Sequence, residues 1–163
     1  MTPDRSSSSA PVAHLSVVAF GTIGVLVTLG VTSALAQPVA LRHVGVVPGP
    51  VEHVRVQGDR LYLSHHVNFT IWDVSEPSTP LRRGSIEMPE EIWGFRIRGE
   101  RAYLGANIFG VAIVDISGPD TPRLLGNHKT LGQAKIGAIY GNRVVLIDHM
   151  EGLVMVDVSD ETT

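Results

Sequence analysis

The chain has no cysteine in its 163 residues, which at once excludes disulfides, thiolate metal sites, cysteine nucleophiles and thiol acylation. Stability must come from packing. No run of Lys or Arg occurs, and the formal net charge is -3 with both signs scattered. The electrostatic footprint of a nucleic acid or an anionic membrane surface is therefore missing. Also missing are a Gly-x-Ser-x-Gly elbow, a Gly-rich phosphate loop and the closely spaced oxygen ligands of a calcium loop. The expectation is a protein without a cofactor and without a catalytic residue set.

Residues 15–31 read LSVVAFGTIGVLVTLGV without a charge, behind a Ser-rich lead carrying Asp4 and Arg5 and ahead of Ala34, Leu35 and Ala36. This pattern predicts an export signal over residues 1–36, cleaved after Ala36 at a small-x-small site. A membrane span needs about 20 apolar residues, so an uncleaved anchor over residues 15–35 is the alternative, and the only route to a membrane. Either way residue 37 onward lies outside the cytoplasm: periplasmic, secreted or at the cell surface.

The 17 glycines and 10 prolines punctuate apolar stretches rather than pooling in one tract. Laid out at a period near 41, residues 37–163 fall into three units, 41–80, 81–122 and 123–163. GDRLYL from Gly58, GERAYL from Gly99 and GNRVVL from Gly141 align, as do IWDVS, IVDIS and MVDVS ending at Ser75, Ser117 and Ser159. Recurrence at this period marks propeller blades or helical arrays. Helices are excluded by the short runs rich in Val, Ile and Leu that alternate with period two, as in Val54-Arg55-Val56. The fold class is all-β, with four strands to a unit. Gly-Asp, Gly-Glu and Gly-Asn turns join the first and second strands. In a four-residue turn between the second and third, Asn68, Gly110 and Gly152 are the last residues, which predicts φ > 0 at all three.

The stretches GVAIVDISGPDTP from Gly110, GLVMVDVSDETT from Gly152 and, more loosely, TIWDVSEPSTP from Thr70 resemble the LVIVD repeat. The resemblance covers the chain from about residue 41 to its end, with Trp72 in place of the usual aliphatic residue. It implies a β-propeller in exported or cell-surface proteins and brings no established catalytic residues.

The repeated Asp73, Asp115 and Asp157 each close a strand before a turn, where a carboxylate caps backbone N–H groups. His65, Asn107 and His149 each stand eight residues before that Asp, which makes His65 and His149 the only metal candidates. Equivalent positions on separate blades are, however, too far apart for one ion with bonds of about 2 Å. The first strand of a blade lines the propeller axis, and its approach carries Glu52 and His53 in one unit, Glu90, Glu91 and Trp93 in the next, and Gln133 and Lys135 in the third. These polar groups with one aromatic make a candidate ligand-binding set. The leading functional reading is an exported, non-enzymatic binding or interaction module of the cell envelope. The alternatives are an exported propeller enzyme, or its fragment, acting on a small molecule or polysaccharide, and an inactive piece of a longer propeller. Residues 39–47 read as a spare fourth-type strand, and the third unit stops after its third strand. Two copies exchanging that strand would make a homodimer with a six-bladed ring.

Overall fold

The computed structural model describes residues 41–159; the signal or anchor over residues 1–36 lies outside the described residues. The chain divides into residues 1–42 and 43–163, and everything below concerns the second unit. Its strands are β1 (His53–Gln57), β2 (Arg60–His65), β3 (Asn68–Asp73), β4 (Leu81–Glu87), β5 (Phe95–Arg98), β6 (Arg101–Gly105), β7 (Val111–Asp115), β8 (Arg123–His128), β9 (Ala134–Tyr140), β10 (Arg143–Asp148) and β11 (Gly152–Asp157). They form antiparallel meanders: β1-β2-β3-β4, β5-β6-β7-β8 and a three-stranded β9-β10-β11. The sheets begin with a first-type strand, so the structural frame starts one strand later than the units 41–80, 81–122 and 123–163.

Period-two alternation gives each sheet two apolar faces. Tyr62 pairs with Ile71 on one face of the first sheet, and Leu63 pairs with Thr70 on the other. Tyr62, Phe69 and Ile71 from the first sheet meet Ala102, Leu104 and Val114 from the second in one buried cluster. Tyr103 and Val111, on the opposite face of the second sheet, meet Ile136, Val144 and Leu146 from the third. Each such large side chain, removed from water, contributes about 1.5–3 kcal/mol. Phe69 lies edge-on to Phe95 across the first joint, with ring centroids 5.0 Å apart. The first strands are in mutual contact, β1 beside β5 and β5 beside β9, so they are the inner strands of the stack. The far ends of those strands are joined alike: the Gln57 amide donates to the Gly99 carbonyl at 3.2 Å, and the Arg98 guanidinium donates to the Gly141 carbonyl.

The turns between first and second strands are as expected, with Gly58, Gly99 and Gly141 at φ 59°, 57° and 54°. Those between second and third strands are not one geometry. The first sheet uses only His66 and Val67, and His66, not Asn68, takes the positive φ, 54°. Asn68 is already the first residue of β3, paired with His65. Gly110, just before β7, and Gly152, the first residue of β11, do have positive φ, 86° and 84°. Residues 41–50 contain no strand, contrary to the reading of 39–47 over its described part, because among the described residues no third-type strand lies beside them to supply hydrogen bonds.

The repeated carboxylates cap backbone. Asp73, Asp115 and Asp157 accept the N–H of Ser75, Ser117 and Ser159 at 3.0, 3.0 and 2.9 Å. Asp115 is buried, and the Ser117 backbone and hydroxyl, followed by Arg123 and Arg101, hold its carboxyl down from 3.8 to about 2. A depressed folded-state pKa means stability present above the unfolded value and lost as pH falls through the folded one. Asp115→Asn is expected to cost about 1.5–3 kcal/mol at neutral pH. In urea melts its deficit against the parent should shrink as pH drops from 4 toward 2. The two glycines separate by surroundings: a Cβ on Gly110 would lie 2.0 Å from the His128 carbonyl oxygen, whereas none is within 4 Å at Gly152. Gly152→Asn should therefore be tolerated better than Gly152→Val, by about 1 kcal/mol, while Gly110→Asn and Gly110→Val should both lower the melting temperature.

Candidate functional site

In an antiparallel pair the start of the first strand lies beside the end of the second, so the approach to each first strand meets the turn between strands two and three. His53 pairs with Ser64, and Ala134 with Asp148. The joints between sheets bring the three ends together. The Ile92 N–H donates to the His66 carbonyl at 2.8 Å, and the Ala134 N–H donates to the Asn107 carbonyl at 3.0 Å. A methyl placed on Gly94 would lie 3.0 Å from Ile136 and 3.7 Å from His53, which shows how closely all three sheets approach here.

At this convergence lies a cavity of about 470 Å³ lined by Glu52, His53, Glu91, Ile92, Trp93, Lys135 and His149. Its polar groups are held from behind. The Trp93 indole N–H donates to Glu91 Oε2 at 3.1 Å, and the Trp93 and His149 rings lie 5.5 Å apart, inclined at 50°. His149 Nδ1 is 3.1 Å from Gln133 Oε1, and His53 Nδ1 is 3.2 Å from the Ser64 hydroxyl. His66 ties the two carboxylates: its N–H donates to Glu52 Oε2 at 3.0 Å, and its Nδ1 lies 3.6 Å from Glu91 Oε1. The cleft thus presents an indole, two carboxylates, two imidazoles and an ammonium, a set suited to holding a small polar ligand by hydrogen bonds and ring contact.

Of the residues expected to form a ligand-binding set, Glu52, His53, Glu91, Trp93 and Lys135 line this cleft. Gln133 stands behind it through His149. Glu90 is directed elsewhere, accepting a hydrogen bond from Asn107 at 3.4 Å and lining a separate cavity with Phe109, Asn127 and Lys129. The metal candidates separate: His149 joins the cleft, while His65 lines a cavity of about 310 Å³ on the outer face of the first sheet with Leu63, Trp72 and Arg82. Among the described residues no group of three or more His, Cys, Asp or Glu is arranged to hold a metal ion.

Two residues escaped the sequence reading. Gly58 and Gly99 are 41 apart but Asp73 and Asp115 are 42 apart, so one residue is lacking between them in the first unit. The structure puts that deletion in the turn, which makes His66, not His65, the counterpart of Asn107, with positive φ of 54° and 48°. The other is Asp148, 2% exposed. Burial pushes its carboxyl up, but the Thr130 side chain and the N–H groups of Glu151, Met150 and Gly132, the last three at 2.8 to 3.1 Å, hold it at about 2. It pins the loop before β9 against the turn that carries His149.

The family model described as the LVIVD repeat matches residues 48–87, 93–130 and 132–163, one match to each sheet and in the same frame as the sheets. No curated protein matches the chain.

The proximity of Trp93 and His149 is open to measurement, because the chain has only two tryptophans. In Trp72→Phe, where Trp93 is the sole indole, adding His149→Ala should shift or intensify the emission, whereas adding His65→Ala should leave it unchanged.

Proposed function

Because the chain belongs to the LVIVD repeat family, a propeller-like repeat module of stacked antiparallel sheets, we propose that it works outside the cytoplasm as a binding module whose ligand occupies the cleft around Trp93. One observation carries this reading: side chains from all three sheets converge on one cavity, where Trp93, Glu52 and Glu91 are already fixed by hydrogen bonds. A preformed cleft loses little conformational entropy on binding. Its volume of about 470 Å³ falls in the range of small-molecule sites, about 300–1,000 Å³. The ligand it fits carries hydrogen-bond donors for the two carboxylates and an apolar face for the indole, a description that small amino sugars meet.

Binding is read from Trp93 in the Trp72→Phe variant. Titration with glucosamine and its short oligomers should quench or shift emission saturably. Glu91→Gln should weaken that response about tenfold, the effect of about 1.4 kcal/mol. A flat titration into the millimolar range defeats the proposal for this ligand class.

Export rests on the uncharged run over residues 15–31 and on the Ala34-Leu35-Ala36 ending. Intact-mass analysis of the exported protein should find Gln37 as the first residue. A product that retains Met1 in the membrane fraction would identify the anchor instead.

A further inference from the structure

One face of the first sheet departs from its counterparts in the other two. Leu61 pairs with Trp72, and Leu63 with Thr70. The same positions hold Ala102 with Val114 and Leu104 with Ala112 in the second sheet, and Val144 with Val156 and Leu146 with Val154 in the third. There every one of these side chains is apolar and belongs to the cluster that joins its sheet to the one before it. In the first sheet the face carries a hydroxyl and an indole instead. The neighbouring strand adds a charge, because Trp72 pairs with Arg82 where Val114 pairs with Leu124. Packing against another apolar sheet calls for none of these three replacements; together they answer to a different occupant.

The replaced face lies against a cavity. Leu63 and Ser64 are buried on it, and the segment leading into β1 is tied to its edge by the Glu52 N–H, which donates to the Ser64 carbonyl at 2.9 Å. Between that segment and the sheet is a volume of about 310 Å³, inside the range of small-molecule sites, about 300–1,000 Å³. Pro48 and Pro50, whose rings fix their backbone, line one side. Thr70, Trp72, Arg82 and His65 line the other. The Trp72 indole N–H donates to the Thr70 hydroxyl at 3.1 Å. That bond uses the indole's single donor, so the ring offers a ligand its apolar surface. Arg83 is engaged by Asp73 and Asp120. Arg82, in contrast, has no hydrogen-bond or ion-pair partner among the described residues, and no carboxylate is among the residues that line the cavity.

We propose that this cavity is a second binding site, which takes a small aromatic carboxylate with its ring against Trp72 and its carboxylate on the Arg82 guanidinium. A guanidinium meets a carboxylate through two parallel hydrogen bonds, and an indole packs on a flat ring. His65 supplies a further N–H at the wall. The preference in charge is opposite to that of the Trp93 cleft, where two carboxylates call for donors. The two cavities share no lining residue, so each site stands without the other.

Benzoate is the probe, titrated into the full-length Trp93→Phe chain, in which Trp72 is the sole indole. Emission should change saturably, with a matching heat of binding by calorimetry. Benzylamine, the same ring with the opposite charge, should produce neither. Arg82 is exposed, so Arg82→Leu, the side chain found at the equivalent position of the second sheet, should leave the melting temperature in place and weaken benzoate about tenfold or more, the loss of one charge-assisted pair. Arg82→Gln, which keeps most of the stem and drops the charge, should weaken it alike. No heat and no emission change with benzoate into the millimolar range, an equal response to benzylamine, or undiminished affinity in both Arg82 variants would each overturn the site.

Discussion

Every feature of this protein depends on the inability of a single meander to bury itself. A sheet of four strands with period-two alternation has two apolar faces, and a chain without cysteine has no covalent means of holding it together. Burial is available only against the next sheet. The aromatic contact of Phe69 with Phe95 and the aliphatic contact of Val111 with Leu146 are therefore the source of the fold's stability rather than its refinement. The hydrogen bonds within each sheet are satisfied in any isolated hairpin, but an isolated hairpin in water is marginal.

Stacking in this manner also determines where chemistry can be placed. Sheets that meet along their first strands bring the starts of those strands to one locus, whatever residues occupy them. That locus is fixed by main-chain bonds from Ile92 to His66 and from Ala134 to Asn107, so the side chains around it vary without disturbing the joints. His66 adopts a backbone conformation that costs a non-glycine residue about 1–2 kcal/mol. Its N–H, carbonyl and imidazole each meet a partner that belongs to, or leads into, the cleft wall. Strain held where several bonds overdetermine it is characteristic of sites that must be preformed.

The fold was legible because its signals repeat. Gly58, Gly99 and Gly141 announce the same hairpin in each unit, and the Asp-x-Ser pattern announces the same cap, so no single ambiguous stretch had to be judged alone. The cleft was legible in outline, since the residues preceding each first strand were expected to converge and five of the seven do so. What failed was register across a deletion. Counting back from Asp73 puts His65 beside Asn107 and His149, whereas the backbone shortens the turn itself and puts His66 there. Glu90 and Glu91 are adjacent in sequence, and only the course of the chain from Met88 to Gly94 sends one into the cleft and the other behind it. Asp148 carried no visible signal, because its partners come from a loop and a turn with no counterpart motif in the other units. The strand expected over 39–47 is missing from its described part, residues 41–47, for a different reason: its apolar alternation is real, but a strand exists only where another strand supplies its hydrogen bonds.

The joints at the far ends of the first strands join side chain to main chain. Gln57 and Arg98 differ in length, charge and shape, yet each ends on the carbonyl of the glycine that opens the following hairpin. A carbonyl is offered by every residue type, so the receiving unit carries no obligation to match the giving one. At this contact alone, a change of side chain in the receiving hairpin leaves the acceptor in place, whereas the apolar faces that carry each joint must still match. A backbone acceptor thus frees one position of each joint from side-chain matching and leaves specificity to the buried faces.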